Sequence, residues 1–210
     1  MANRKLQDKA RQARTDMYRQ HVLEAAEAVF AERGFESAKL QDISRHAGVS
    51  MGTIYAVFAS KDELFRAILD WRGRELLAVA RAGADAAGDG AGGPRAALER
   101  LIESYIDYFL AHPHFLRMHL RLGTSWVLGP SQGSEGQVQL WAEIHALQAE
   151  LMRRGVAAGA FTDEDPNFLA KLFSALDQLL LADWVAGGMR ASRDELVARM
   201  RGLILRVIGA

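Results

Sequence analysis

The residues best suited to meet another molecule lie between Leu40 and Phe58. Leu40, Ile43 and Ala47 fall on one face of a short helix, Gly48-Val49-Ser50 follows, and Ile54, Val57 and Phe58 form the inner face of a second short helix. Two short helices that cross steeply need a tight turn. Gly48 supplies the positive φ, Val49 fills the angle and Ser50 caps the second helix. The second helix then presents Ser50, Met51, Thr53 and Tyr55 outward at its N-terminal end. Small and hydroxyl-bearing side chains there suit hydrogen bonds to phosphate oxygens and base edges in the major groove of DNA. Many helical proteins carry an Ala-Gly-Val-Ser turn without touching DNA, so at this point both readings stand.

Other chemistry is sparse. His112, His114 and His119 are clustered imidazoles, yet no carboxylate or cysteine joins them at ligand spacing, and no metal is expected. A Gly-rich phosphate loop, a nucleophile elbow and a paired metal motif are all missing, so neither an enzyme nor a cofactor is expected. The chain has no cysteine, which fits a reducing cytoplasm. It shows no apolar run of a signal peptide or membrane span, and a soluble, cytoplasmic protein is expected. Lys plus Arg and Asp plus Glu balance at 26 each, but Arg4, Lys5, Lys9, Arg11 and Arg14 oppose Asp8 alone in residues 1–14. That segment reads either as a flexible arm lying on phosphates or as a solvated tail.

The elements that must hold these residues are helices. Val22, Ala25, Ala26, Val29 and Phe30 form the stripe of a first helix expected to start at Thr15 and stop at Gly34. Ser60 with Glu63 opens a fourth helix in a capping-box pattern. Five glycines within residues 83–93 predict a loop that ends at Pro94. Further helices follow at 95–112, 114–122, 137–158 and 167–185, with a Gly- and Ser-rich connection at 123–136 and a last helix starting at Ser192. The expected fold class is all-α, with about nine helices and no strand.

Several stretches closely resemble one family. Ala25-Ala26-Glu27-Ala28-Val29-Phe30-Ala31-Glu32-Arg33-Gly34-Phe35, Asp42-Ile43, Ala47-Gly48-Val49-Ser50-Met51-Gly52-Thr53-Ile54-Tyr55 and Phe58-Ala59-Ser60-Lys61-Asp62-Glu63-Leu64 together resemble the N-terminal domain of TetR-type repressors. The resemblance implies a three-helix DNA-binding domain over 15–61 and a ligand-binding and dimerisation domain over 62–210. It implies contacts at Thr53, Tyr55 and Lys61, with Met51 and Gly52 at the helix tip and Gln41 and Arg45 on the flank. Three departures stand out. Lys39 replaces the usual Ser or Thr cap, losing about 1 kcal/mol but bringing a cation to the flank. Met51 replaces a common Lys, and Ala56-Val57 replaces an aromatic-His pair, so the tip is more apolar and suited to thymine methyls.

The C-terminal half is read more coarsely. Its last two helices are apolar on more than one face, which fits a homodimer paired through Leu172, Leu176, Leu180, Trp184, Met200, Ile204 and Val207, or else one thick monomer core. A dimer suits a palindromic operator on double-stranded DNA. A small-molecule effector, largely apolar, would lie among Trp71, Tyr105, Tyr108, Phe109, Phe115, Met118, His119, Trp126, Trp141, His145 and Phe173, each of which is equally at home in a plain core. The resulting expectation is a repressor released by that effector. The alternative is a helix-turn-helix protein that binds DNA constitutively or answers to a protein.

Overall fold

The computed structural model describes the backbone of residues 2–85, 92–123, 125–129 and 134–210. Nine helices lie among the described residues: α1 Ala2–Arg33, α2 Leu40–Ala47, α3 Met51–Val57, α4 Lys61–Asp85, α5 Gly93–Ala111, α6 Pro113–Arg121, α7 Glu135–Ala157, α8 Pro166–Ala186 and α9 Arg193–Ile208. The described backbone forms no strand beyond an isolated bridge between Phe161 and Gly209. Two compact units divide the chain, Met1–Trp71 and Arg72–Ala210, with α4 running unbroken through the division.

In the N-terminal unit α1 buries Val22, Ala26, Val29 and Phe30, and Ile43 of α2, Ile54 of α3 and Leu64 and Ile68 of α4 are buried in the same unit. Phe30, Phe35 and Phe65 meet ring to ring at centroid distances of 5.7, 5.3 and 4.6 Å. This aromatic knot fixes the turn after Gly34, whose φ of 77° ends the helix as expected. The start of α1 is corrected. Thr15 lies inside the helix, where its hydroxyl donates to the Arg11 carbonyl at 3.1 Å instead of capping. The basic segment expected as a flexible arm is therefore helical backbone from Ala2, with residues 9–17 exposed on all sides.

The C-terminal unit packs α5, α7, α8 and α9 around Leu98, Ile102, Phe109, Met152, Phe173, Leu181 and Ile204. Helix starts follow the sequence signals. Ser192 forms a capping box with Glu195 and Asp165 caps α8 ahead of Pro166, whereas α7 starts two residues earlier than expected, at Glu135, because Ser134 forms a capping box with Gln137. The expected loop at 83–93 is narrowed, because α4 continues through Gly83 to Asp85 and residues 86–91 lie outside the described residues. Gly155 is obligatory in this unit: a Cβ there would stand 1.9 Å from the Phe161 ring. Among the described residues no helix is long and apolar enough to cross a membrane, and no group of His, Asp and Glu is arranged to hold a metal ion.

Candidate nucleic-acid interface

The turn between α2 and α3 is set by hydrogen bonds that its sequence dictates. Gly48 adopts φ 65° and ψ 27°, the left-handed conformation a side chain resists. Val49 N–H donates to the Ser44 carbonyl at 3.1 Å, and the Ser44 hydroxyl donates back to the Val49 carbonyl at 2.6 Å. Ser50 caps α3, its hydroxyl oxygen accepting from Thr53 N–H at 3.1 Å and lying 2.9 Å from the Thr53 hydroxyl. Ile54 and Phe58 are buried as expected, and Val49 and Val57 are half-buried.

α1 locks both short helices from behind. Arg19 donates to the Val57 carbonyl at the end of α3 (2.9 Å) and stacks over the Phe58 ring. His21 donates from Nε2 to the Ala47 carbonyl at the end of α2 (2.8 Å). Cationic or polar donors on the last carbonyls of a helix satisfy groups that have no partner within it. Neither residue was singled out from sequence, because such long-range caps leave no local pattern.

Lys39 is the N-cap of α2 and cannot accept a hydrogen bond through its side chain. The lost cap is partly replaced, since the Asp42 carboxylate accepts from Lys39 N–H at 3.4 Å. The same carboxylate pairs with Arg33 at 2.8 Å and with Arg45 at 3.2 Å.

The expected contact residues separate into two groups. Lys39, Gln41, Arg45, Ser50, Gly52 and Tyr55 are exposed, Tyr55 at 56%, while Met51 and Thr53 are half-buried beside them. Lys61 does not join this set. Its ammonium donates to the carbonyls of Phe35 (2.7 Å), Glu36 (3.3 Å) and Ala38 (3.2 Å) and lies over the Phe35 ring. All three of its N–H bonds are spent inside the unit, where they close the turn between α1 and α2. The family pattern implied a phosphate contact at Lys61; here the side chain is a structural clamp. Lys61→Gln should lower stability by about 1–3 kcal/mol and leave the salt dependence of DNA binding unchanged. Lys39→Gln should leave the melting temperature in place and reduce the log K versus log salt slope by about one per protomer. Thermal melts and a salt titration of binding separate the two.

Gly52 is informative for what it does not touch. Its backbone is helical, and a Cβ there would meet only the Ser50 hydroxyl, at 3.6 Å. Alanine would favour the helix by about 1 kcal/mol, so nothing within the fold requires glycine. What glycine leaves is bare backbone on the exposed tip of α3. Gly52→Ala should raise the melting temperature and weaken DNA binding, a pairing that differential scanning and a binding isotherm would reveal together.

In the C-terminal unit the expected ligand residues Tyr105, Phe109, Met118 and Phe173 are buried, with Tyr108 and Phe115 beside them. His119 and Trp126 join this cluster: Phe109 stacks on Trp126 at 5.7 Å, Phe115 lies 5.4 Å from His119, and His119 lies 5.4 Å from Trp126. Burial holds the His119 imidazole down at about 4, so it is neutral. Trp141 stacks on His145 at 5.2 Å and donates to the Trp126 carbonyl at 3.0 Å, which places this pair at the edge of the cluster. Trp71, expected with this cluster, lies in the N-terminal unit on α4 and is half-buried.

Three polar residues inside this cluster were not anticipated. Gln148 of α7 donates to the Tyr105 hydroxyl at 3.2 Å and accepts from Ser174 of α8 at 3.1 Å. One helical turn along from Phe173 stands Asp177, only 3% exposed. The available signal was the interruption of the apolar run of α8 by Ser174 and Asp177.

Burial divides the expected dimer residues. Leu180, Trp184, Met200 and Ile204 lie inside the chain's own core, Leu172 and Leu176 are half-buried, and Val207 is exposed. The apolar stripe that α8 leaves outside keeps Leu172 and runs through Phe168, Ala175 and Leu179, with Phe168 53% and Leu179 65% exposed. A helix apolar on two faces does not declare in sequence which face points inward.

A short helix pair with a left-handed glycine turn, its second helix capped by serine and exposed at the tip, defines a helix-turn-helix domain. Residues 22–68 match the model for bacterial regulatory proteins of the tetR family. The chain is 47% identical over 57 residues to the transcriptional repressor KstR2 of Mycobacterium tuberculosis, covering 25% of this chain and 28% of that protein. It is 29% identical over 169 residues to the repressor NicS of Pseudomonas putida, covering 78% of this chain and 74% of NicS. Among solved structures it superimposes on FadR of Bacillus subtilis, crystallised with stearoyl-CoA, at a TM-score of 0.72 and 16% identity over 90% of this chain and 97% of FadR. The similarity to the tetR family is thus carried by residues 22–68, the helix-turn-helix and the helices that frame it. Because it spans only 28% of the length of KstR2 in that match, what it shares with KstR2 is the DNA-binding domain.

Proposed function

We propose that this protein is a homodimeric transcriptional repressor that reads a palindromic operator with its paired α3 helices and leaves the DNA when a small, largely apolar molecule binds its C-terminal unit. The observation that carries the DNA-binding part is the exposed tip of α3. Ser50, Gly52 and Tyr55 stand outward on a turn held by Gly48, Ser44 and the two caps from α1, beside Thr53 and Met51. Positioned donors with bare backbone between them suit phosphate and base-edge contacts. Lys39, Gln41 and Arg45 extend the surface along α2. The basic start of α1, with Lys9, Arg11 and Arg14 exposed, adds charge that can lie on phosphates.

Pairing is supported by the apolar stripe on α8, which a second copy would cover, and by the gain from binding two half-sites at once. Control by a small molecule is supported by the aromatic cluster of the C-terminal unit; FadR of Bacillus subtilis, with the same fold, holds stearoyl-CoA. Since α4 runs through both units, a ligand that tilts it changes the separation of the two recognition helices. Operator half-sites sit at a fixed helical repeat, so a small change costs the second half-site. A cytoplasmic location belongs to the same reading. The test is a gel-shift assay on the DNA flanking the protein's own gene, repeated with a panel of hydrophobic compounds. A shift reversed by some of them supports the whole reading. A shift that none reverses leaves a constitutive or protein-controlled DNA binder, and no shift at all defeats the proposal.

A further inference from the structure

Asp177 stands out among the described residues as a buried acid. It lies in the middle of α8 with 3% of its surface exposed, and its Oδ1 is buried without a hydrogen-bond partner. The polar groups near it serve one another. Ser174 donates to Gln148, Gln148 donates to Tyr105, and no cation pairs with the carboxylate among the described residues. A buried carboxylate without counter-charge or donor is costly, and a purely structural core has no use for one. Burial alone drives its carboxyl up to about 7 and, with Asp177 nearby, holds the Tyr105 hydroxyl far above its usual range.

The surroundings are aromatic. Tyr105 lies 6.1 Å from Phe173, and Phe173 is one turn from Asp177 on α8. Phe109, one turn from Tyr105 on α5, stacks on Trp126. The Trp126 backbone N–H donates at 3.2 Å to Gln178, the residue next to Asp177. Ring faces and an unpaired carboxylate thus meet in one interior. Rings attract cations through their quadrupoles, and a protonated amine carries both the missing charge and the missing donors.

We infer that the effector site takes an aromatic ligand bearing a protonated amine, with Asp177 of α8 as its counter-ion and Tyr105, Phe109, Trp126 and Phe173 around its ring. This rests on the small-molecule reading above and narrows it. Trp126 Nε1 and His119 Nδ1 are likewise buried without partners and face hydrogen-bonding substituents on the ligand's ring. The same carboxylate repels acidic ligands, so an aromatic acid of equal size is excluded.

The experiment uses the full chain at pH 8 and three probes of matched size, 2-phenylethylamine, 2-phenylethanol and phenylacetate, each titrated by calorimetry. The amine should bind at least tenfold more tightly than the alcohol, with no binding by phenylacetate. Asp177→Asn keeps the shape and removes the charge, and in that variant amine and alcohol should bind equally. Tighter binding of the alcohol or the acid by the natural chain overturns the assignment but keeps an effector site, as does an amine preference that survives Asp177→Asn. If none of the three binds, the amine assignment falls. Titration of naphthalene and decanoate then decides the broader reading, which stands if either binds and falls with the assignment if neither does. The ordering on the natural chain decides the matter even if the variant folds poorly.

Discussion

Thr53→Ala combined with Tyr55→Ala should lower operator affinity at least 100-fold and leave the fold and the dimer intact. Each good base-edge or phosphate contact contributes about 1–3 kcal/mol, and a symmetric dimer loses each one twice. The same substitutions cost the fold little. Tyr55 is 56% exposed, so little packing is lost. Ser50 still caps α3 through the Thr53 backbone N–H when the Thr53 hydroxyl is gone. Fluorescence anisotropy on operator DNA, with a thermal melt and a sedimentation run on the same sample, checks all parts. Retained affinity would mean that α3 does not read the DNA.

The second large effect concerns pairing. Phe168→Glu with Leu179→Glu should convert the dimer to a monomer and, with it, cost at least 100-fold in operator affinity. Both side chains stand on the outer stripe of α8, 53% and 65% exposed, so the isolated chain loses little by the change. Two like charges placed opposite their symmetry mates in an apolar interface repel strongly and cannot be solvated there. Met200→Ala serves as the contrast, because Met200 is 2% exposed. It should cost about 2–5 kcal/mol of stability through the cavity it leaves, without separating the protomers first. Sedimentation velocity distinguishes these outcomes; a dimer that survives the double substitution would move the interface elsewhere.

The helices were legible in the sequence because their signals are local. Periodic apolar residues, Ser192 with its capping partner, Asp165-Pro166 and Gly48 each act within a turn of where they stand. The helix-turn-helix was legible for the same reason. What escaped depended on partners distant in the chain. Lys61 carries the charge expected of a phosphate contact, yet its role is decided by the carbonyls of Phe35, Glu36 and Ala38 more than twenty positions earlier. Arg19 and His21 became caps only once α1 crossed the ends of α3 and α2. The phase of α8 and α9 was equally hidden, since Leu180 and Leu179 are the same residue type one step apart, one buried and one exposed. Asp177 was visible as a letter in an apolar run, but its isolation was not.

If paired α3 helices read a palindrome, they leave a symmetric footprint, which hydroxyl-radical cleavage of the DNA upstream of the protein's own gene detects. Two protected half-sites related by two-fold symmetry are expected, centred one helical turn of about 10 base pairs or a multiple of it apart. Protection should vanish with the Thr53→Ala and Tyr55→Ala pair and persist with Lys61→Gln at temperatures where that variant is folded. Protection without symmetry, or equal protection of a scrambled duplex at physiological salt, would contradict it.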